Sequence, residues 1–360
     1  MNKLLEKMKK SGSIKNSSIL SQSMFFNKKD MVPTDVPIIN VALSGSLNGG
    51  LTSGLTFIAG ESKHFKSLLG LIMVSAYMKK YPDSVCLFYD SEFGITPEYI
   101  KANNIDTSRV IHLPIEHLEQ LKFDIAKRLN EIERGDKVII FIDSVGNLAS
   151  KKEAEDALDE KAVADMTRAR TMKSLWRIVT PHLTTKDIPC IAINHTYKTM
   201  EMFSKSVMSG GTGGMYSANQ VFIIGKSQEK DGQELIGYNF TINIEKSRFV
   251  REKSKLPFTV TFEKGLSKWS GLLDIALESG HVIKPSNGWY SRVDEDGVVE
   301  DKKYRLKETD SSDFWSSILN QKTFHEFIQK NYQISNGEML RSDIDEVFDD
   351  VVTMNGVEDD

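Results

Sequence analysis

Cysteine is scarce in this sequence: two in 360 residues, too few to staple a fold. Cys86 and Cys190 each lie inside an apolar, strand-like run, so both read as buried free thiols rather than as a disulfide or metal ligands. Long hydrophobic runs are missing too. The longest apolar stretch, residues 68–78, is interrupted by Gly70 and Ser75 and reads as a core helix, not a membrane span. The N-terminal segment MNKLLEKMKKSGS is basic and briefly amphipathic but lacks the apolar centre of a signal peptide, so a cytosolic location is expected. Nor is there a large excess of one charge. The formal net charge is −4, with 40% hydrophobic and 27% charged residues and a mean hydropathy of −0.31. Those values are ordinary for a soluble globular protein.

The near-neutral total hides an uneven distribution. Residues 338–360 carry nine acids against one base, Arg341, a contribution of −8 that leaves the rest of the chain at +4. Such a block is ordinarily a solvated tail. Attached to a mildly basic body, it can also compete for that body's cationic surfaces.

What is present is a rhythm. Strands are expected at 55–60 (LTFIAG), 84–90 (SVCLFYD), 109–113 (RVIHL), 137–143 (KVIIFID) and 188–194 (IPCIAIN). Helix-period segments over 66–79, 117–134 and 154–182 separate them. Buried strands alternating with helices predict an α/β fold, a mostly parallel twisted sheet flanked by helices. After residue 219 three β runs follow one another (QVFIIG, YNFTINIE, FTVTFE), and these should extend the sheet with antiparallel strands. The expected organisation is a helix and linker over 1–30, a core over 31–268, a small, mainly helical unit over 269–335, and the acidic tail over 336–360.

Four strand ends carry groups with chemical uses. The loop Gly60-Glu61-Ser62-Lys63-His64-Phe65-Lys66-Ser67 follows a strand and opens a helix, the setting in which backbone N–H groups cradle phosphates. Lys66 would contact the β- and γ-phosphates and Ser67 a Mg²⁺ ion; Phe65 stands where the motif asks for its second glycine. Asp143 ends KVIIFID, placed to hold Mg²⁺ through water, with a helix N-cap as the competing account. Glu92, just past SVCLFYD, would lie beside the phosphates and could deprotonate water; alone it would read as a surface turn. Asn194 and His195 close IPCIAIN and could sense a γ-phosphate or simply hold a loop. Chance explains one such strand end more easily than four.

Two segments suggest nucleic acid. The helix from residue 157 bears Arg168, Arg170, Lys173 and Arg177, of which the last three share one face, suited to phosphates or to solvent. The long segment after His195, TYKTMEMFSKSVMSGGTGGMYSANQ, offers aromatics for stacking and lysines, Lys198 included, for the backbone. Further on, Lys246, Arg248, Arg251, Lys253 and Lys255 either protect a sheet edge or reach a γ-phosphate across a subunit interface.

In this order, FFNKKDMVPTDVPIINVALSG, GESKHFKS, YDSEFGITPEYI, IDSVGNLASKKE, IAINHTY and INIEKSRFVREKSK resemble the RecA family. Within it they look most like the UvsX recombinases of T-even-type phages, which share the phenylalanine of the P-loop. The resemblance covers roughly residues 20–300. It implies a DNA-dependent ATPase using ATP and Mg²⁺ that forms a helical filament on single-stranded DNA. Its work would be homologous pairing and strand exchange in recombination, repair and recombination-dependent replication.

By position, the resemblance implies that residues 60–67 surround the nucleotide, Glu92 activates water and Tyr99 stacks on adenine. Asp143 would be the Walker B acid, and His195, where RecA has glutamine, the switch between γ-phosphate and DNA. Arg170, Lys173 and Arg177 would belong to the first DNA-binding loop and helix, and Met202, Phe203, Gly213 and Gly214 to the second. Lys246 and Arg248 would reach the neighbouring subunit's nucleotide, and the N-terminal helix with Phe25 and Phe26 would dock on that neighbour. Implied partners are single- and double-stranded DNA, further copies of the chain, a single-stranded-DNA-binding protein and a recombination mediator. No membrane is implied, and a phage-borne chain would work in the host cytoplasm. A hexameric helicase on the same core is the alternative, predicting closed rings. A non-catalytic mediator with a decayed P-loop is a third, disfavoured because Lys66, Ser67, Glu92 and Asp143 are all present.

If the acidic block competes with DNA, deleting residues 338–360 raises affinity for duplex DNA, most at low salt where screening is weakest. Duplex binding by intact and truncated chains across a salt series measures this. Equal affinities at low salt would reduce the segment to a solvated terminus.

Overall fold

The computed structural model describes residues 3–14, 17–23, 25, 30–159, 167–199 and 206–334. The acidic block at 338–360 lies outside the described residues. Helix α1 (Lys3–Ser11) is amphipathic and buries none of its residues. Helix α2 (Pro37–Ser44), which the hydropathy pattern did not single out, has Pro37 in its first turn and stops at Gly45, whose φ of 71° suits a residue without Cβ. The alternating segment then runs β1 (Gly54–Ala59), α3 (Lys66–Lys80), β2 (Val85–Asp90), α4 (Pro97–Ala102), β3 (Val110–Pro114), α5 (Leu118–Glu131) and β4 (Val138–Asp143). It continues through α6 (Lys151–Leu158) and α7 (Thr167–Lys186) to β5 (Pro189–Asn194). The single helix expected over 154–182 is thus two in the described residues, with 160–166 outside them.

A hairpin of β6 (Thr196–Lys198) and β7 (Ser206–Met208) and the short α8 (Thr212–Ser217) come next. Then β8 (Gln220–Asp231), β9 (Glu234–Ser247), β10 (Lys255–Thr261) and β11 (Gly265–Leu266) complete a nine-stranded sheet of order β11-β10-β9-β8-β1-β5-β4-β2-β3. Pairing is parallel from β8 to β3 and antiparallel from β8 to β11, the expected extension.

The central strands β1, β4 and β5 are buried throughout on both faces, as βαβ crossovers require. Leu55, Phe57 and Ala59 of β1 and Ile140 and Ile142 of β4 pack with Leu121 and Ile125 of α5 and with Leu175, Trp176 and Val179 of α7. Their alternates Ile58, Ile139 and Phe141 face α3 on the other side. Gly70 of α3 lets Phe141 close in: a Cβ there would sit 2.5 Å from its ring. Cys86 and Cys190 are both free and buried, and burial raises both thiols.

The C-terminal segment holds α9 (Leu272–Glu278), α10 (Ser312–Leu319) and α11 (Lys322–Tyr332). It also contains a three-stranded sheet, β12 (Val282–Ser286), β13 (Trp289–Arg292) and β14 (Tyr304–Arg305), that the mainly helical expectation missed. The reason is length: strands of five, four and two residues carry no readable period. Among the described residues no helix is long and apolar enough to cross a membrane. What matters for chemistry is that β1, β2, β4 and β5 run parallel, so their carboxyl ends, and the loops that follow, share one edge.

Candidate functional site

The loop from Gly60 to Phe65 links β1 to α3. Lys63 and Phe65 both take left-handed backbone conformations, at φ 60° and 61°. Glycine would adopt the second without strain; a phenylalanine there costs about 1–2 kcal/mol. The side chain explains how it is tolerated. Its ring lies 5.2 Å from Phe240 of β9 and 5.7 Å from Phe258 of β10. Two such aromatic contacts, each worth about 0.5–1.5 kcal/mol beyond burial, offset the strain. The loop is therefore pinned to the antiparallel half of the sheet. Lys66 is 7% exposed, and its Nζ donates to the Glu61 carbonyl at 2.7 Å, inside the curve of the loop. Burial lowers its pKa, and the charges of Glu92 and Asp143 oppose that.

Glu92 stands at the centre of a donor cluster. Its Oε1 accepts from the Ser144 hydroxyl at 2.6 Å and the Asn147 amide at 2.9 Å, and lies 3.2 Å from His195 Nε2. The His195 contact, ahead of Ser144 and Lys66, holds the Glu92 carboxyl below its ordinary value, against the effect of burial. The backbone is fixed as well. Buried Asp90 accepts the N–H groups of Glu92 at 3.0 Å and Phe93 at 2.8 Å through Oδ1, and its Oδ2 meets His112 Nε2 at 3.1 Å.

Asp143 is 3% exposed at the end of β4. Its Oδ1 is buried and has no hydrogen-bond partner among the described residues. Burial, with Glu92 and Asp90 nearby, pushes its carboxyl up to about 6, against a bond from Ser67 and the charge of Lys66. A buried acceptor left open beside a serine hydroxyl and a lysine fits a hydrated divalent cation. Ser67 and Asp143 thus meet at the end of β4.

His195 immediately precedes the hairpin β6–β7. Asn194, at the end of β5, accepts from the His195 N–H at 2.8 Å and the Ser209 hydroxyl at 2.7 Å, and donates to the Ser209 carbonyl at 3.0 Å. Both feet of the hairpin are therefore tied to one buried side chain. Gly146 lies beneath the imidazole; a Cβ there would come 2.4 Å from the ring. The segment after His195 is thus partly ordered into strands, with Tyr197 opposite Val207, rather than all loop.

The remaining expected residues fall in three groups. Arg170, Lys173 and Arg177 line the exposed face of α7, while Arg168 turns inward and donates to the carbonyls of Gly146 and Leu148, both at 2.8 Å. Gly213 and Gly214 lie in α8 and permit its approach to α7: a Cβ on the first would meet Lys173, and on the second Phe57 and Trp176. Lys198 reaches Glu61 of the phosphate loop at 3.7 Å. Away from the cluster, Tyr99 lies 39% exposed on α4, and Lys246 donates within its own chain to the carbonyls of Met215 and Tyr216 at 2.8 and 3.1 Å. Arg248 is exposed, and the Arg134 guanidinium lies 5.2 Å from the Phe25 ring. Phe26, Met202 and Phe203 lie outside the described residues. Sequence reasoning missed Ser144, Asn147 and Asp90 as partners of Glu92. The one available signal was the pair of polar residues, Ser144 and Asn147, shortly after Asp143.

Residues 3–267 match the RecA N-terminal domain, and residues 269–328 match the C-terminal domain of the bacteriophage T4 recombination and repair protein. The chain is similar to the recombination and repair protein of Enterobacteria phage T4, at 55% identity across 98% of this chain and 92% of that protein. It is also similar to Protein RecA of Acidothermus cellulolyticus, 27% identical over 73% of this chain and 74% of that protein. Protein RecA of Cutibacterium acnes is 26% identical over 71% and 73%.

The Asp143 carboxyl has a stability consequence. Its folded pKa of about 6 lies above the ordinary 3.8, so ionisation opposes folding, and stability is lost as pH rises from 3.8 through 6. In magnesium-free buffer at pH 7.5, Asp143→Asn should be more stable than the parent by about 1–3 kcal/mol. The gain should shrink toward pH 4.5. Denaturant midpoints at the two pH values measure it, and a variant less stable than the parent at both would contradict the assignment.

Proposed function

The chain belongs to the RecA family, and on that premise we propose that it is an ATP-driven recombinase. In this reading it assembles as a helical filament on single-stranded DNA and carries out homologous pairing and strand exchange in recombination, repair and recombination-dependent replication. One observation supports the coupling of ATP to DNA above all others. Glu92, the candidate base, is in direct contact with His195, the residue immediately before the candidate DNA hairpin, at 3.2 Å.

The chemistry follows from the positions. Lys66 and the N–H groups opening α3 hold the β- and γ-phosphates, while Ser67 and Asp143 would hold a Mg²⁺ ion, which would supply charge neutralisation at the phosphoryl oxygens. Glu92 takes the proton of the attacking water. A negative γ-phosphate competes with Glu92 for the His195 N–H, so nucleotide state sets where the imidazole points and how the hairpin root is held. Tyr99 packs on adenine. Arg170, Lys173, Arg177 and Lys198 contact the DNA backbone, with Met202, Phe203, Gly213 and Gly214 beside the bases. Lys246 and Arg248 complete the neighbouring subunit's site, and Phe25 and Phe26 dock the N-terminal arm (1–30) on that neighbour. The ATPase core takes in 31–268, a small unit 269–335, and the acidic tail 336–360 restrains duplex capture. A single-stranded-DNA-binding protein and a mediator would assist loading in the host cytoplasm.

Hydrolysis of ATP on saturating single-stranded DNA tests the site. Lys66→Ala should abolish turnover and weaken nucleotide binding. Glu92→Gln should keep ATP binding and lose about 100-fold or more in rate, the scale of a general base. Near-parental hydrolysis by both variants would sink the assignment.

A further inference from the structure

Three donors converge on one oxygen of Glu92 and none reaches the other among the described residues. A carboxylate oxygen offers about two lone-pair sites, so Oε1 is saturated and Oε2 is left as the basic atom. The donors are unequal. Ser144 and Asn147, at 2.6 and 2.9 Å, come from the turn that follows β4; His195, at 3.2 Å, comes from the end of β5 and has a loop behind it.

The turn carrying Asn147 is braced from both sides. Ser91 Oγ donates to the Ser144 carbonyl at 2.8 Å and accepts the Ser144 N–H at 3.0 Å, stitching the Glu92 turn to it. Arg168, at the start of α7, donates to the carbonyls of Gly146 and Leu148, the residues immediately before and after Asn147, both at 2.8 Å. Arg168 thus serves the site from the inward side of the helix whose outward face is basic.

We propose that Asn147 is a positioning residue for the reaction: its amide, with the Ser144 hydroxyl, keeps Oε1 occupied and Oε2 turned to the water, whether or not His195 remains in contact. The proposal rests on Glu92 being the base. With His195 drawn away, Glu92 would otherwise lose its outermost restraint at the moment it must abstract a proton. The Asn147 amide removes that conflict, because sensing and positioning use different donors on the same oxygen. Arg168 extends the restraint to α7, so the candidate DNA helix and the base share a rigid connection that bypasses the hairpin.

Asn147 is exposed, so its replacement should leave the fold intact. In Asn147→Ala, kcat for ATP on saturating single-stranded DNA should fall about 10-fold, with KM for ATP and DNA affinity within about two-fold. Asn147→Asp is nearly isosteric but presents an acceptor to Glu92; it should lose at least as much, and it supplies the same contrast should the alanine variant prove unstable. Asn147→Gln, which keeps the donor, should recover part of the rate. Parental kcat in the alanine variant, parental activity in the aspartate variant, or a loss arising through KM or DNA affinity would each overturn the proposal. Turnover retained in Glu92→Gln would instead dismiss Glu92 as the base.

Discussion

The contact between Glu92 and His195 crosses a strand. In the sheet order β5-β4-β2, Glu92 follows β2 and His195 follows β5, two strand spacings apart, about 9–10 Å. A glutamate side chain spans that gap only if it lies over the end of β4 and the imidazole leans in to meet it. Both conditions hold because β4 ends in Asp143 and then turns tightly through Ser144 and Gly146, with no side chain at Gly146 to lift the ring. The parallel register does the rest: Asp90 pairs with Asp143, and Ala59 with Asn194, so the loops leave the sheet at one level. Residues 60–67, Glu92, Asp143 and His195 meet because parallel pairing allows their strands one common end.

The phosphate loop shows how a local conflict is resolved by distant packing. A left-handed phenylalanine is unfavourable in isolation, yet its ring is held by Phe240 and Phe258, residues 175 or more positions later in the chain. Replacing the motif's glycine therefore exchanges backbone freedom for an anchor. The same β9 leads to Lys246, whose ammonium holds the carbonyls at the end of α8, so the loop before α3 and the end of the hairpin segment rest on a shared strand. The family expectation directs Lys246 toward a neighbouring subunit. Within this chain its ammonium is engaged by the carbonyls of Met215 and Tyr216.

Much of this could be read from residues. Strand–loop–helix order located Lys66 and Ser67, and carboxylates at strand ends located Glu92 and Asp143, because buried β runs and polar terminators are strong local signals. Arg170, Lys173 and Arg177 were legible as one helical face. Arg168 was not separable from them: its inward turn depends on carbonyls 20 to 22 residues away in the chain. Asn147 was invisible for the same reason, since its partner lies 55 residues away. The sheet β12–β14 escaped because its strands are shorter than any period, and α2 because a run with seven of eight residues buried shows no amphipathic stripe.

Amide hydrogen exchange in the hairpin tests whether Glu92 and His195 together link nucleotide to hairpin. Without DNA, binding a non-hydrolysable ATP analogue with Mg²⁺, compared with ADP, should change exchange across Thr196–Lys198 and Ser206–Met208. In Glu92→Ala, where His195 has no carboxylate to leave, that difference should disappear while nucleotide binding persists. A hairpin that responds identically in parent and Glu92→Ala, or responds in neither, would contradict the account.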